Sequence, residues 1–520
     1  MINKIPIMLR TIGFQKPSQI FWRIYLIINR SFSVRKKKKR WMGKQLPQLE
    51  VISIDKSKIN KKLKIFSENI DFVSMNWDVK SKPKIWRYHL HYFDYLENCD
   101  KETGQKIIVD WIEKNPLGRS DGWEPYPISL RVVNWIKFFS RHQIEPDDQI
   151  VQSLFVQKNV LFKYRELHLL ANHFFKNIAA LLYLSVFFQD EKLYNWSIKH
   201  LKKEIREQST NAGLHYEFSP TYHALFVKDL LDVYSILKMP LFSSGNQLYQ
   251  MLENKIYSGL FWVNYFAEGK KYYRIGDVNF EGCPSKAYLN QYASELGISS
   301  DSEINEQQCF PRLVNNELKI MLLNAPFNPP YNSAHSHCDK LSVLAWYKDI
   351  PLFVDTGNHN YEKTPERQYT RSVQAHNTIQ IDNLQQAEIW DVFRVGRRGD
   401  IIDTNISSNE MTGIFSYRKY KHKRKISLVQ DGFLIADDVI FSGVHHYKVF
   451  FHVNPDLHFN LVGSEIHFDL SHVRMVLPKG KVTVVKTDYY PEMYIKRDKK
   501  TIIINGEFTD RIRLETIIRK

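Results

Sequence analysis

The spacing of hydrophobic residues changes once along this chain, near 300–315, and that change limits the folds open to it. From about 104 to 300, apolar residues return every three or four positions, as on one face of an α-helix. In 128–139 the set is Ile128, Val132, Trp135, Ile136 and Phe139. The stretch 177–188 is almost wholly apolar and predicts a helix buried on most sides. Further helical windows run over about 191–207, 222–238 and 248–266. Short connections favour antiparallel hairpins, and no fixed-period repeat supports a solenoid of standard units. After Cys309 the runs shorten to strand length: 318–323, 341–346, 352–355, 378–381, 425–429, 433–436, 447–453, 466–470, 473–477, 481–485 and 501–504. Gln430-Asp431-Gly432 reads as a hairpin turn. Many short strands with turn signals predict an antiparallel sandwich. A chain of 520 residues exceeds one core. The expected plan is a basic N-terminal segment with first helices (1–100), a helical domain (101–308) and a β-domain (309–520). The cleft between the halves is a natural ligand site.

The formal net charge is +17, from 73 Lys+Arg against 56 Asp+Glu, which favours polyanionic partners. Nucleic acid, anionic lipid and acidic polysaccharide all fit by charge. No helix-turn-helix, zinc-finger or RNA-binding motif is present, so nucleic acid is not expected. The run 35–40, RKKKKR, reads as a solvated surface segment. Most of the aromatic residues belong to a core, and those left in a cleft suit sugar faces. The four cysteines are scattered without a CxxC pair, so no disulfide framework or cysteine zinc site is expected, and Cys338 reads as a buried thiol. No stretch is long and apolar enough to span a membrane. Residues 20–28, IFWRIYLII, are short and interrupted by Arg23. They suit an interfacial helix with the basic run on anionic headgroups, or docking onto the protein's own body. No secretory signal pattern is present, so the sequence alone predicts a cytoplasmic protein.

The richest chemistry lies in 332–377, which holds His335, His337, Asp339, Asp355, His376 and Asn377. In an extended segment His335 and His337 share a face. Two histidines and an aspartate form a zinc-like ligand set. In the helical half, Asn172-His173 precedes the buried helix; Asn172 suits an N-cap as well as a functional role. In Glu217-Phe-Ser-Pro-Thr-Tyr222-His223, Ser-Pro starts a helix and puts Tyr222 in its first turn. The positive helix end predicts a modest lowering of the Tyr222 pKa. The cluster WEPYPISLRVVNW, with Trp123, Tyr126 and Arg131, suits carboxylate binding, although Arg131 can equally pair with a structural acid.

Together WEPYPISLRVVNW, Asn172-His173, EFSPTYH, Ile275-Gly-Asp277, HSHCD, DTGNHNY and AHNT resemble the heparinase II/III-like polysaccharide lyases, in order over roughly 120–380. The chain is most similar to the branch found with bacterial capsule and exopolysaccharide synthesis proteins. The resemblance implies an N-terminal α/α toroid (an incomplete helical barrel) followed by a C-terminal antiparallel β-sandwich, and β-elimination on a uronate-containing acidic polysaccharide. It implies that Asn172 and His173 engage the uronate carboxylate, and that Tyr222 and His335 transfer protons. Tyr361 or Tyr369 is the second tyrosine. Trp123, Tyr126, Arg131, Glu217 and Arg371 are the substrate-binding candidates. His337, Asp355 and His376 would hold a structural zinc. The family is mostly periplasmic or secreted, against the cytoplasmic expectation. The alternatives are a non-catalytic polysaccharide-binding or assembly protein on the same fold, and glycoside hydrolysis through Glu166 and Glu217.

Overall fold

The computed structural model describes residues 5–28, 63–66, 68–70, 75–239, 246–299, 308–470 and 472–520; the basic run 35–40 lies outside the described residues. In chain order the long helices are α1 (Ile5–Gly13), α2 (Pro17–Ile28), α3 (Lys84–Tyr92), α4 (Lys101–Lys114), α5 (Pro125–His142), α6 (Asp148–Tyr164), α7 (Ala171–Phe187), α8 (Glu191–Gln208), α9 (Pro220–Leu237), α10 (Asn246–Tyr265) and α11 (Lys286–Glu295). Their starts follow local chemistry. Asp100, Asp147 and Asp190 each accept a backbone N–H three residues on, at the heads of α4, α6 and α8. Proline opens α5 and α9, where its missing N–H costs nothing.

Helix α7 lies at the centre, packed against α5, α6, α8 and α9, which is why nearly every side chain past its first turn is buried. It begins six residues before the apolar window, because its first turn is polar and faces a cavity. Helix α3 packs on α5 and belongs to the same helical body. Helices α1 and α2 dock on the protein's own surface. Arg10 grips Glu388 through two bonds at 2.8 and 2.9 Å, and Trp390 donates its indole N–H to Thr11 at 3.0 Å. Gln19 donates to the Leu169 carbonyl at 3.2 Å, and the Arg165 guanidinium lies 5.6 Å from the Trp22 ring. Ile5, Leu9 and Phe21 stay exposed, and the exposed Ile27 borders the cavity between the two halves. Among the described residues no helix is long and apolar enough to cross a membrane.

The β half is built on two large antiparallel sheets and a separate two-stranded hairpin, Ala387–Asp391 with Arg394–Arg398. The smaller of the two large sheets joins Arg312–Asn315, Leu318–Leu323, Ser342–Tyr347 and Ile350–Phe353. The larger has ten strands and is built on the long pair Gly432–His452 and Ile495–Arg519. The expected hairpin turn joins Val429 to Gly432, with Asp431 at φ 58°. The small sheet is buried on both faces. Met321, Leu323, Leu344 and Trp346 enter the helical core, while Ile320, Leu322, Val343 and Ala345 enter the core between the sheets. Strand alternation thus makes one sheet the shared wall of both cores and fixes the two halves against each other.

Candidate active site

A cavity of about 1020 Å³ opens where the helical body meets the β half. Tyr88, Tyr92, Tyr126, Asn172, His173 and Tyr222 line it from the helices, and His335, Tyr361, Phe393 and Arg394 from the β side.

Asn172 and His173 occupy the first turn of α7. The chain reaches them through Leu170 and Ala171 at φ 59° and 51°, a left-handed pair rarely taken by such residues and typical of functional turns. The cap position is Leu170, so Asn172 is not an N-cap. His173 Nδ1 lies 3.0 Å from Glu166 Oε1, and Asn177 donates to the other Glu166 oxygen at 3.1 Å. Burial opposes charge on His173, but Glu166 outweighs it and raises the pKa of the ring. The cavity wall therefore carries a cation-prone imidazole beside a neutral amide, a pair suited to a carboxylate.

Tyr222 sits in the first turn of α9, as its Ser-Pro lead requires. Its hydroxyl is 3.2 Å from that of Tyr361, and its ring centroid 4.1 Å from that of His335. The expected lowering of its pKa is not found. Burial, then Tyr361 and Asp277, push it well above the usual phenol range, outweighing the helix end. Tyr222 rests as a proton-bearing phenol.

The segment around His335 and His337 is irregular rather than extended, yet both rings reach one carboxylate. His335 Nδ1 is 2.9 Å from Asp277 Oδ2, and His337 Nε2 is 2.8 Å from Asp277 Oδ1. Arg367 binds both oxygens of the same group. Burial alone would raise the Asp277 pKa, but Arg367 and the two histidines hold it well below the usual range. An ionised Asp277 only accepts, so His335 donates from Nδ1, and the tautomer this selects for the neutral ring has its lone pair on Nε2. The turn that presents Asp277 depends on Gly276 at φ 61°, where a Cβ would meet the His335 carbonyl at 3.1 Å.

The two tyrosines left open by sequence separate here. Tyr361 is in the cavity, whereas Tyr369 lies outside it, its ring 5.8 Å from Lys499 Nζ. Of the five substrate-binding candidates only Tyr126 lines the cavity, its ring 4.5 Å from that of His173. Trp123 is buried and donates to the Asn115 carbonyl at 3.1 Å. Arg131 is fully buried, 3.9 Å over the Trp111 ring and bonded to Gln157 at 2.9 Å rather than to an acid. Arg371 is buried and braces the Ser336 and Val392 carbonyls at 3.0 and 2.7 Å. Glu217 is buried behind the cavity, its oxygens without partners, and burial raises its pKa.

His337, Asp355 and His376 are buried together. His376 Nδ1 is 2.6 Å from Asp355 Oδ2, and the two imidazole rings are 5.4 Å apart. His337 Nδ1 and His376 Nε2 are buried without a partner among the described residues, two imidazole nitrogens that can take a metal ion in place of a proton. Among the described residues no group of three or more His, Cys, Asp and Glu closes to metal-ligand spacing, since Asp355 is engaged with the far side of His376. Cys338 is a buried thiol, as expected, its pKa pushed up to about 11 by burial. Asp277 and Arg367, the hub of the site, had only the Ile-Gly-Asp turn as a sequence signal. Phe393, whose ring is 5.4 Å from that of Tyr361, had none.

A helical toroid set on antiparallel sheets, with a Tyr/His/Asn cleft at the junction, defines a toroid-and-sandwich protein. Family models agree with that class. The heparinase II/III N-terminus model matches residues 58–266, and the heparinase II/III-like C-terminal model matches 307–512. The chain belongs to the heparinase II/III-like family. It is 22% identical over 457 residues to a heparin-sulfate lyase of Bacteroides stercoris, covering 72% of this chain and 65% of that protein. A heparin-sulfate lyase of Pedobacter heparinus is 21% identical over 434 residues, covering 73% and 64%. The chain thus spans slightly less than two thirds of these relatives' length. A crystal structure of heparinase III shares the fold at TM-score 0.66 and 16% identity, over 86% of this chain and 79% of that one. A heparan sulfate lyase from Pedobacter heparinus does so at 0.57 and 15%, over 87% and 79%.

Proposed function

We propose that this protein is a polysaccharide lyase that cleaves a uronate-containing acidic polysaccharide by β-elimination. The observation that carries this reading is the meeting of Tyr222, Tyr361 and His335 in the cavity that Asn172 and His173 also line. The heparin-sulfate lyases among the relatives support it.

The reaction requires three things of these side chains. A base removes the C5 proton, the C5–H electrons form the C4–C5 double bond, and the C4–O4 bond breaks with a proton delivered to O4. The C5 proton is barely acidic until the neighbouring carboxylate is neutralised, so donors aimed at that carboxylate lower the barrier most. Asn172 and the cation-prone His173 fill this role. His335, its Nδ1 donating to Asp277, presents a lone pair at Nε2 and serves as base. Tyr222, held as a phenol, protonates the departing O4, with Tyr361 alongside. Hydrolysis by paired carboxylates finds less support, because Glu166 is committed to His173 and Asn177 and Glu217 lies outside the cavity.

The same reading includes a structural zinc. His337 Nδ1 and His376 Nε2 would hold it, with Asp355 behind His376 raising that ring's basicity. It would brace the sheet edge behind His335, and no step of the elimination runs through it. A role in capsule or exopolysaccharide metabolism, with peripheral membrane contact through the apolar outer faces of α1 and α2, completes the proposal. The second reading, binding without cleavage on the same fold, differs in one observable. Incubation with a panel of uronate polysaccharides produces a rising ultraviolet absorbance only if elimination creates a double bond conjugated to the carboxylate. A flat signal with polymer bound would replace the lyase by the binding protein.

A further inference from the structure

The cavity carries two arginines that the elimination does not use. Arg23 of α2 and Arg394 both line it, as does the imidazole of His168 in the loop before α7. Arg394 sits at the turn of the hairpin Ala387–Asp391 and Arg394–Arg398, directly after Phe393, whose ring is 5.8 Å from that of His335. Helices α1 and α2 clamp this hairpin. Besides the Arg10–Glu388 and Thr11–Trp390 contacts, the Arg398 guanidinium lies 3.8 Å over the Phe14 ring. Two guanidinium groups are thereby brought to one wall from chain positions more than 370 residues apart.

Neither arginine forms an ion pair among the described residues. With the Gln15 amide turned to place its oxygen toward Arg23, that oxygen accepts from both terminal nitrogens at 3.0 and 3.2 Å, a neutral partner. Of the acids that line the cavity, Glu166 binds His173 and Asn177, and Asp391 accepts from the Val392 N–H at 2.9 Å. Glu124 and Asp232 are paired with Lys84 and Lys137. Burial, and then the like charge of Arg394, lower the Arg23 pKa to about 10, so folding brings these cations together at a cost. His168 is no cation, since burial lowers its pKa to about 4; its buried Nδ1 has no partner among the described residues and the ring serves the wall as a neutral polar group. Unpaired cations on a cavity wall are stabilised when an anion binds between them.

We infer that Arg23, Arg394 and His168 form an anion subsite for a sulfate or carboxylate group on a sugar neighbouring the cleaved uronate. This rests on the polysaccharide reading above. Arg23 precedes the residues matched by the family models, which begin at 58, whereas His168 and Arg394 lie within them.

The test is fluorescence anisotropy with the full chain and three labelled octasaccharides: heparan sulfate, its fully desulfated form, and a carboxyl-reduced, sulfated form. Arg23→Gln and Arg394→Gln, each checked for an unchanged melting temperature, are expected to weaken heparan sulfate binding about tenfold. Arg23→Lys and Arg394→Lys are expected to recover most of it. If the substitutions weaken the carboxyl-reduced form and spare the desulfated form, the subsite takes sulfate; the converse identifies carboxylate. Unchanged affinity of the folded Gln variants for all three probes overturns the subsite and leaves the lyase reading standing. Failure of the unmodified protein to bind any of them overturns the polysaccharide reading and the subsite with it.

Discussion

Asp277 concentrates the chemistry of the site in one carboxylate. From a fully buried position it orients His335, anchors His337 and neutralises Arg367. Replacing it by Asn leaves Arg367 buried without its counter-charge, a loss of about 3–5 kcal/mol for a broken buried pair. Asp277→Asn is therefore expected to lower the urea midpoint clearly; an unchanged midpoint would mean that the Arg367 pair contributes nothing. At Tyr222 the expected consequence is chemical rather than structural. Tyr222→Phe removes the proton donor and leaves the ring against His335, so the melting temperature holds while kcat falls by about 10²–10⁴, the usual range for a lost acid or base. The residues nearest the chemistry were legible because each interrupts an apolar pattern: Asn172-His173 before α7, Tyr222 after Ser-Pro, and His335 in a polar loop. The partners behind them were not, since Asp277 and Arg367 meet across 90 residues and no local pattern encodes such a contact. The pKa of Tyr222 was misjudged for the same reason. The helix end is visible in sequence, but the opposing burial and the Tyr361 neighbour are tertiary.

At the scale of elements, the four-stranded sheet joins the two halves. Met321 and Ile320 are adjacent in one strand and point into different cores. Alanine at either is expected to cost about 2–5 kcal/mol, because each vacates a packed space. Equilibrium denaturation of both variants checks this, and a neutral result at either would show that one face of the sheet is not a core face. The helices and most strands were legible from periodicity. The strands at 318–323 and 341–346 were legible as strands, but Lys319 and Ser342 interrupt their apolar runs, and the double burial of the sheet is tertiary. What periodicity could not supply was the inward turn of Trp123, Arg131 and Arg371, which a motif alone places at the substrate. At the edge of the β half, His376→Ala is expected to lower both bound zinc and the melting temperature, measured by elemental analysis and thermal unfolding. Full metal content in that variant would remove His376 from the metal.

For the molecule as a whole, buried histidines set the acid limit. Burial lowers His89 and His91 to about 3, and His223 and His337 to about 4. A lowered histidine stabilises the fold above its unfolded value near 6.5, and that contribution is lost as pH falls through the folded value. His173 and His376 are raised and act in the opposite sense, but fewer groups do so. The urea midpoint is expected to be level above about pH 7 and to fall between about pH 6.5 and 4; a midpoint that rises on acidification would contradict the neutral burial of these rings.

The central claim, that one cleft performs β-elimination with Tyr222 as proton donor, is tested most directly by the masses of the oligosaccharides released from a uronate polysaccharide. Elimination is expected to give fragments whose new non-reducing ends are one water lighter than hydrolysis would leave, and Tyr222→Phe is expected to release them at least about 10²-fold more slowly while remaining folded. Fragments carrying the added water, or undiminished release by Tyr222→Phe, would contradict it.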